Sequence, residues 1–146
     1  MLTTTVQHML KAKGDEVWSV TPETTVYDAL LMMDQKNVGA LLVVSGGKPV
    51  GIFTERDYAR KVALHQRSSK DTRVGEIMTE RVLGVGPERS AEECMALMSD
   101  KHVRHLPVIK AEQVLGIISI GDVVKAVIEE QRFVIRQLEN YITGDR

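Results

Sequence analysis

The chain has 146 residues, 43% of them apolar and 27% charged, which suits one globular domain or two small repeats sharing a core. Nineteen basic against twenty acidic residues give a net charge of -1, which removes the usual reason to expect a nucleic-acid or membrane partner. The single cysteine, Cys94, excludes a disulfide scaffold and a cysteine-based zinc finger.

In chain order, Val6 to Leu10 reads as a helical lead-in, and Val17 to Val20 as a short strand ended by Pro22. Thr24 or Thr25 can cap the helix that follows, which places Val26, Ala29, Leu30 and Met33 at helical spacing. Leu41 to Val44 is an apolar run of strand length, Ser45-Gly46-Gly47-Lys48 a hairpin turn, and Pro49 to Phe53 the return strand. A second helix is expected from Thr54 to about His65, followed by a polar linker, QRSSKDT, over 66–72. Shifted by 65 residues, the same plan returns: strand 82–85, helix from Ser90, strand 105–109, turn 110–113, strand 114–118, helix from Ser119. Val17–Val62 aligns with Val82–Val127 without a gap, and thirteen of the 46 pairs are identical, too many for coincidence. The lead-in VQHML recurs as VGEIM at 74–78, three residues out of register. The expected fold class is α+β, two β-α-β-β-α repeats packed with pseudo-two-fold symmetry. The expected divisions are 6–66, 73–130 and a C-terminal helical extension over 131–146.

The segments VGEIMTERVLGVGPERSAEECMALMSDKHVRHLPVI, GIFTERD and GIISIGD resemble the CBS domain, named after cystathionine β-synthase, and the tandem pair is similar to a Bateman module. The resemblance covers roughly residues 6–130. It implies two clefts between the repeats that take adenosine ligands: AMP first, with ADP, ATP, NAD(H) or S-adenosylmethionine as alternatives. It also implies a sensor without catalysis, no catalytic cofactor, and pairing of two modules into a homodimer.

The spacing Gly-x-x-[Ser/Thr]-x-x-Asp occurs in both copies, as Gly51, Thr54, Asp57 and as Gly116, Ser119, Asp122. It stands where a strand passes into a helix, whose first N–H groups and dipole favour phosphate. A cap hydroxyl can bond a phosphate oxygen, an Asp one turn on can accept from a ribose diol, and glycine admits a flat ring. The resemblance assigns these roles to Thr54 and Ser119 and to Asp57 and Asp122. The same spacing is equally a capping box that stabilises a helix start with no ligand. In His102-Val103-Arg104-His105-Leu106-Pro107, Arg104 offers a planar fork of donors for phosphate and His105 a donor near neutral pH. The alternative is that both are solvated or paired with acids. Copy one has Gly39-Ala40 at these positions, so its site differs in charge and room; Arg56 can restore positive charge there.

No G-x-S-x-G, H-E-x-x-H or G-x-G-x-x-G is present, and the expectation is no enzyme and no metal site. The N-terminus lacks the pattern of a signal peptide, and the longest apolar stretch, 38–44, is too short to span a bilayer. The expected location is the cytoplasm. The last helix, from Asp122 to about Ile142, carries an apolar stripe that the repeat does not need. Its excess is to be covered by residues 6–10 and by a second subunit. The leading reading is a nucleotide-binding regulatory module acting on an effector protein in trans. The alternative is a structural or protein-interaction module with empty clefts.

Overall fold

Each repeat is built around a hairpin whose first strand is buried through its centre. The computed structural model describes residues 4–14, 16–80 and 82–143. The first hairpin pairs β2 (Ala40–Ser45) with β3 (Lys48–Thr54), and β1 (Ser19–Val20) adds to β2 in parallel. The second pairs β4 (His105–Lys110) with β5 (Gln113–Ser119). Both carry a register shift at the same place, Val43/Val44 and Val108/Ile109. The expected strand at 82–85 contracts to one parallel bridge, Val85 with Val108. Val85 N donates to Pro107 O and Ile109 N to Val85 O at this bridge, and a Cβ built on Gly84 would overlap the Ile109 side chain, so only glycine fits beside it.

The turns are alike in backbone and unlike in residues. Gly46 and Gly47 take φ of 60° and 77°, as a two-residue hairpin turn of this hand requires. Ala111 and Glu112 adopt φ of 51° and 64° in the equivalent turn, a conformation that costs a side-chain-bearing residue about 1–2 kcal/mol.

The helices begin where the hydroxyls stand. Thr25 accepts from Asp28 N and caps α2 (Val26–Lys36); Ser90 and Glu93 form a reciprocal box at the start of α5 (Ala91–Lys101). Asn37 and His102 end these helices in the left-handed region. After β3 the expected helix to about His65 runs to Ala63, as one α-turn, α3 (Glu55–Tyr58), and a π-turn over Ala59–Ala63. The wider turn sets Asp57 and Val62, five residues apart, on one face, and both are buried. In the second repeat, by contrast, α6 (Ile120–Thr143) runs unbroken for 24 residues. Of the expected extension, 144–146 lie outside the described residues.

The lead-in helices sit with the core of the other repeat. The chain divides into two compact units, 16–83 and 1–15 with 84–146. The first contains α4 (Val74–Ile77), the second α1 (Val6–Lys13). Val74 N and Gly75 N donate to Thr24 O and Pro22 O, while Val26 N donates to Thr72 O. The same three bonds recur as Val6 N to Arg89 O, Gln7 N to Pro87 O, and Ala91 N to Thr4 O. Burial explains the exchange. Val6 and Met9 join Leu106, Val108 and Ile118 in one core, and Val74 and Ile77 join Leu41, Val43 and Phe53 in the other. Each fully buried Val, Leu, Ile or Phe contributes roughly 1.5–3 kcal/mol, so the compact units follow the cores. Cys94 is buried in the first of these cores. Trp18 packs at the edge of the second with the Lys36 ammonium 4.1 Å from its ring centroid. Among the described residues no helix is long and apolar enough to cross a membrane.

Candidate functional site

In the second repeat β5 delivers Ser119 to the start of α6. Ser119 N donates to Asp122 Oδ2 at 2.8 Å, and Asp122 N donates to Ser119 Oγ at 3.2 Å, a closed capping box. The ammonium of Lys13, at the end of α1, donates to the same Oδ2 at 2.8 Å and to the Ile117 carbonyl at 2.7 Å. His105 stands opposite Ser119 in the β4–β5 ladder, and the Arg104 carbonyl accepts from Ile120 N. Arg104 is exposed and His105 half-buried. The Lys13 ammonium thus reaches the strand-to-helix passage that Ser119 and Asp122 occupy, and the backbones of Arg104 and His105 flank it. Burial opposes the charge on Asp122, but the Lys13 and Ser119 bonds outweigh it and hold the carboxyl below its ordinary range. Burial and then the Lys13 charge push the His105 imidazole below its usual value, against the pull of Asp122.

The first repeat carries the same spacing with a different outcome. Thr54 and Asp57 form a reciprocal box at the start of α3. Asp57 Oδ2 accepts from Thr54 N at 3.0 Å and from Thr54 Oγ1 at 3.2 Å. Its Oδ1 accepts from Thr79 Oγ1 and from the Lys61 ammonium, each at 3.0 Å. The residue is 5% exposed, so both oxygens are consumed by the chain itself. Ala40 stands opposite Thr54 as His105 does opposite Ser119, and Arg56 lies exposed in the first turn of α3. The two motif glycines admit the chain rather than open space. A Cβ on Gly51 would meet Thr79 O at 2.8 Å and Met78 Sδ at 2.9 Å, and one on Gly116 would meet Leu10 Cδ2 at 2.7 Å.

The repeat, the order of its elements and the paired motif have a counterpart among known families: the CBS domain model matches 13–64 and 74–129. The chain belongs to the CBS-domain family. The CBS domain-containing protein CBSX3, mitochondrial, of Arabidopsis thaliana is 47% identical over 97% of this chain and 73% of its own length. A solved CBS-domain protein from Burkholderia ambifaria MC40-6 is 54% identical, covers 88% of this chain and 96% of that one, and superposes with a TM-score of 0.84. The CBS domain pair of protein MJ0100, solved with 5'-methylthioadenosine and S-adenosyl-L-methionine, is 25% identical with a TM-score of 0.72, over 84% of this chain and 98% of that one.

Lys13, Lys61 and Thr79 hold the two CBS motif carboxylates, and none was singled out in the sequence. Thr79 and Lys13 lie just past the lead-ins VGEIM and VQHML. That resemblance was the available signal, but it did not say which repeat each lead-in joins.

The depressed imidazole has a measurable consequence. A histidine whose folded value lies below its unfolded one disfavours the proton in the folded state. Its contribution to stability is therefore present above the unfolded value, near 6.5, and is lost as pH falls toward the folded value. The lowered carboxylates, Asp122, Glu76 and Glu93, lose theirs only in the carboxylate range, well below this. Melting temperature is expected to fall between pH 7.5 and 5.5, and less so in His105→Asn. An identical fall in both proteins would show that His105 does not carry it.

Proposed function

We propose that the chain is a non-catalytic regulatory CBS module that binds an adenine nucleotide at the second repeat's strand-to-helix passage. AMP is the ligand that fits first, with ADP, ATP, NAD(H) and S-adenosylmethionine as other adenosyl compounds. The module acts as a homodimer in the cytoplasm and signals to an effector protein in trans. The observation that carries the site is the contrast between the two carboxylates. Asp57 spends both oxygens on four internal donors, whereas among the described residues the Lys13 ammonium and Ser119 N both bond Asp122 through Oδ2. Oδ1 of Asp122 is the acceptor left for a ribose hydroxyl. Arg104 and Lys13 supply the positive charge for a phosphate at the start of α6, His105 a neutral hydrogen-bond donor, and the helix dipole adds to them. The ligands of the MJ0100 pair share the adenosine half and support this class.

The structural reading holds for the first repeat. Gly51, Thr54 and Asp57 there serve as a cap and a seat for Met78 and Thr79, and Arg56 takes no part in the binding proposed for Gly116, Ser119 and Asp122. Calorimetry with AMP and adenosine tests both readings. Arg104→Ala is expected to weaken AMP by roughly tenfold to a hundredfold, as loss of a charge-assisted bond does, and to leave adenosine nearly unchanged. Asp122→Ala is expected to weaken both, and Asp57→Asn neither. No heat with any adenosyl compound would leave the module as a structural one.

A further inference from the structure

Helix α6 carries two apolar faces, and among the described residues only one is buried. Val123 and Ala126 are buried in the second repeat's core. On the other side Val124, Ile128, Ile135, Leu138 and Ile142 are exposed, from 40% at Val124 to 81% at Ile142. These residues obey a heptad: Ile128, Ile135 and Ile142 recur every seven, and Val124, Gln131 and Leu138 form the companion row four residues earlier. Val124, Ile128 and Arg132 line the open start of this face. A seam of this period fits another helix of the same period.

We infer that α6 pairs antiparallel with α6 of a second copy; this rests on the dimeric reading above and specifies its interface. Charge selects the direction. With the two-fold axis near Phe133, Ile128 packs on the partner's Leu138, Ile142 on the partner's Val124, and Ile135 beside the partner's Gln131. The same register brings Lys125 to the partner's Glu139 twice, and Val134 to the partner's Val134. Among the charged residues of the seam Arg132 meets its own copy, with Glu129 three residues before it on the helix to offset the charge. In a parallel pair the flanking rows would set Val127 and Val134 against Arg132 and Glu139, and no opposite charges would meet.

Disulfide trapping of the full chain in a Cys94→Ala background tests the direction. Two proteins are made, Val124→Cys and Ile142→Cys, and oxidised with diamide separately and mixed. The expected result is a covalent dimer in the mixture and almost none in either alone, because residue 124 meets residue 142 only across an antiparallel seam. Covalent dimers from each protein alone would establish a parallel seam and overturn the proposal. No trapping in a protein that light scattering shows to be dimeric would also overturn it, while the dimer itself would stand. A monomer by light scattering would defeat both. Leu138→Glu is a second measure: it is expected to weaken dimerisation by at least tenfold, while Leu64→Glu, exposed in the other unit, leaves it unchanged. Equal dimerisation in both would place the interface elsewhere.

Discussion

Asp57→Ala is expected to destabilise the protein by about 2–4 kcal/mol, far more than its repeat counterpart Asp122→Ala. The substitution removes the reciprocal half of a capping box and three further bonds from a residue that is nearly sealed from water. Thr54 N and the Thr79 hydroxyl lose their acceptor in a half-buried place, where water replaces it poorly. Lys61 loses less, since its side chain is 44% exposed and can rehydrate. Asp122→Ala removes one backbone bond and one ion pair whose members are each a quarter to a third exposed, and roughly 1–2 kcal/mol is expected after solvent screening. Urea denaturation measures both. Asp57→Asn keeps an oxygen for Thr54 N and is expected to recover part of the loss. Equal losses at 57 and 122 would contradict the reading of the first motif as structural and the second as open.

Gly51→Ala is expected to cost about 2–4 kcal/mol and Gly116→Ala less than about 1 kcal/mol, although the two glycines hold the same place in their repeats. The difference lies in what each new methyl meets. At Gly51 it is the Thr79 carbonyl at 2.8 Å, and that residue is locked by two bonds: Ile52 N to Thr79 O at 3.0 Å and Thr79 N to Ile52 O at 2.9 Å. Moving the backbone aside breaks both. At Gly116 the obstacle is one terminal methyl of Leu10, whose other side-chain atoms stand 3.8 Å away, and a rotamer change removes it. Thermal melts of the two variants decide the matter. A larger loss at Gly116 would mean that Leu10 is not free to turn.

What was legible in the sequence is what short-range physics controls. A 65-residue repeat, buried apolar runs of strand length and hydroxyl–acid pairs at helix starts each report on neighbouring residues. They located both hairpins and the long α6 to within a residue or two and the starts of α2 and α5, and the chain belongs to the family those segments resemble. The single bridge in place of the strand at 82–85 and the π-turn that ends the helix after β3 were not legible, because each is set by contacts distant in sequence or by burial: Val85 with Val108, and Asp57 with Val62 in the interior. The exchange of lead-in helices was equally invisible, since VQHML and VGEIM are alike and periodicity is silent on which core each enters. Only the tertiary structure gave Asp57 and Asp122 different partners. The same seven-residue motif is closed in one repeat by Thr79 and Lys61 and held in the other by Lys13, because a side chain's partners are set by which segment packs beside it.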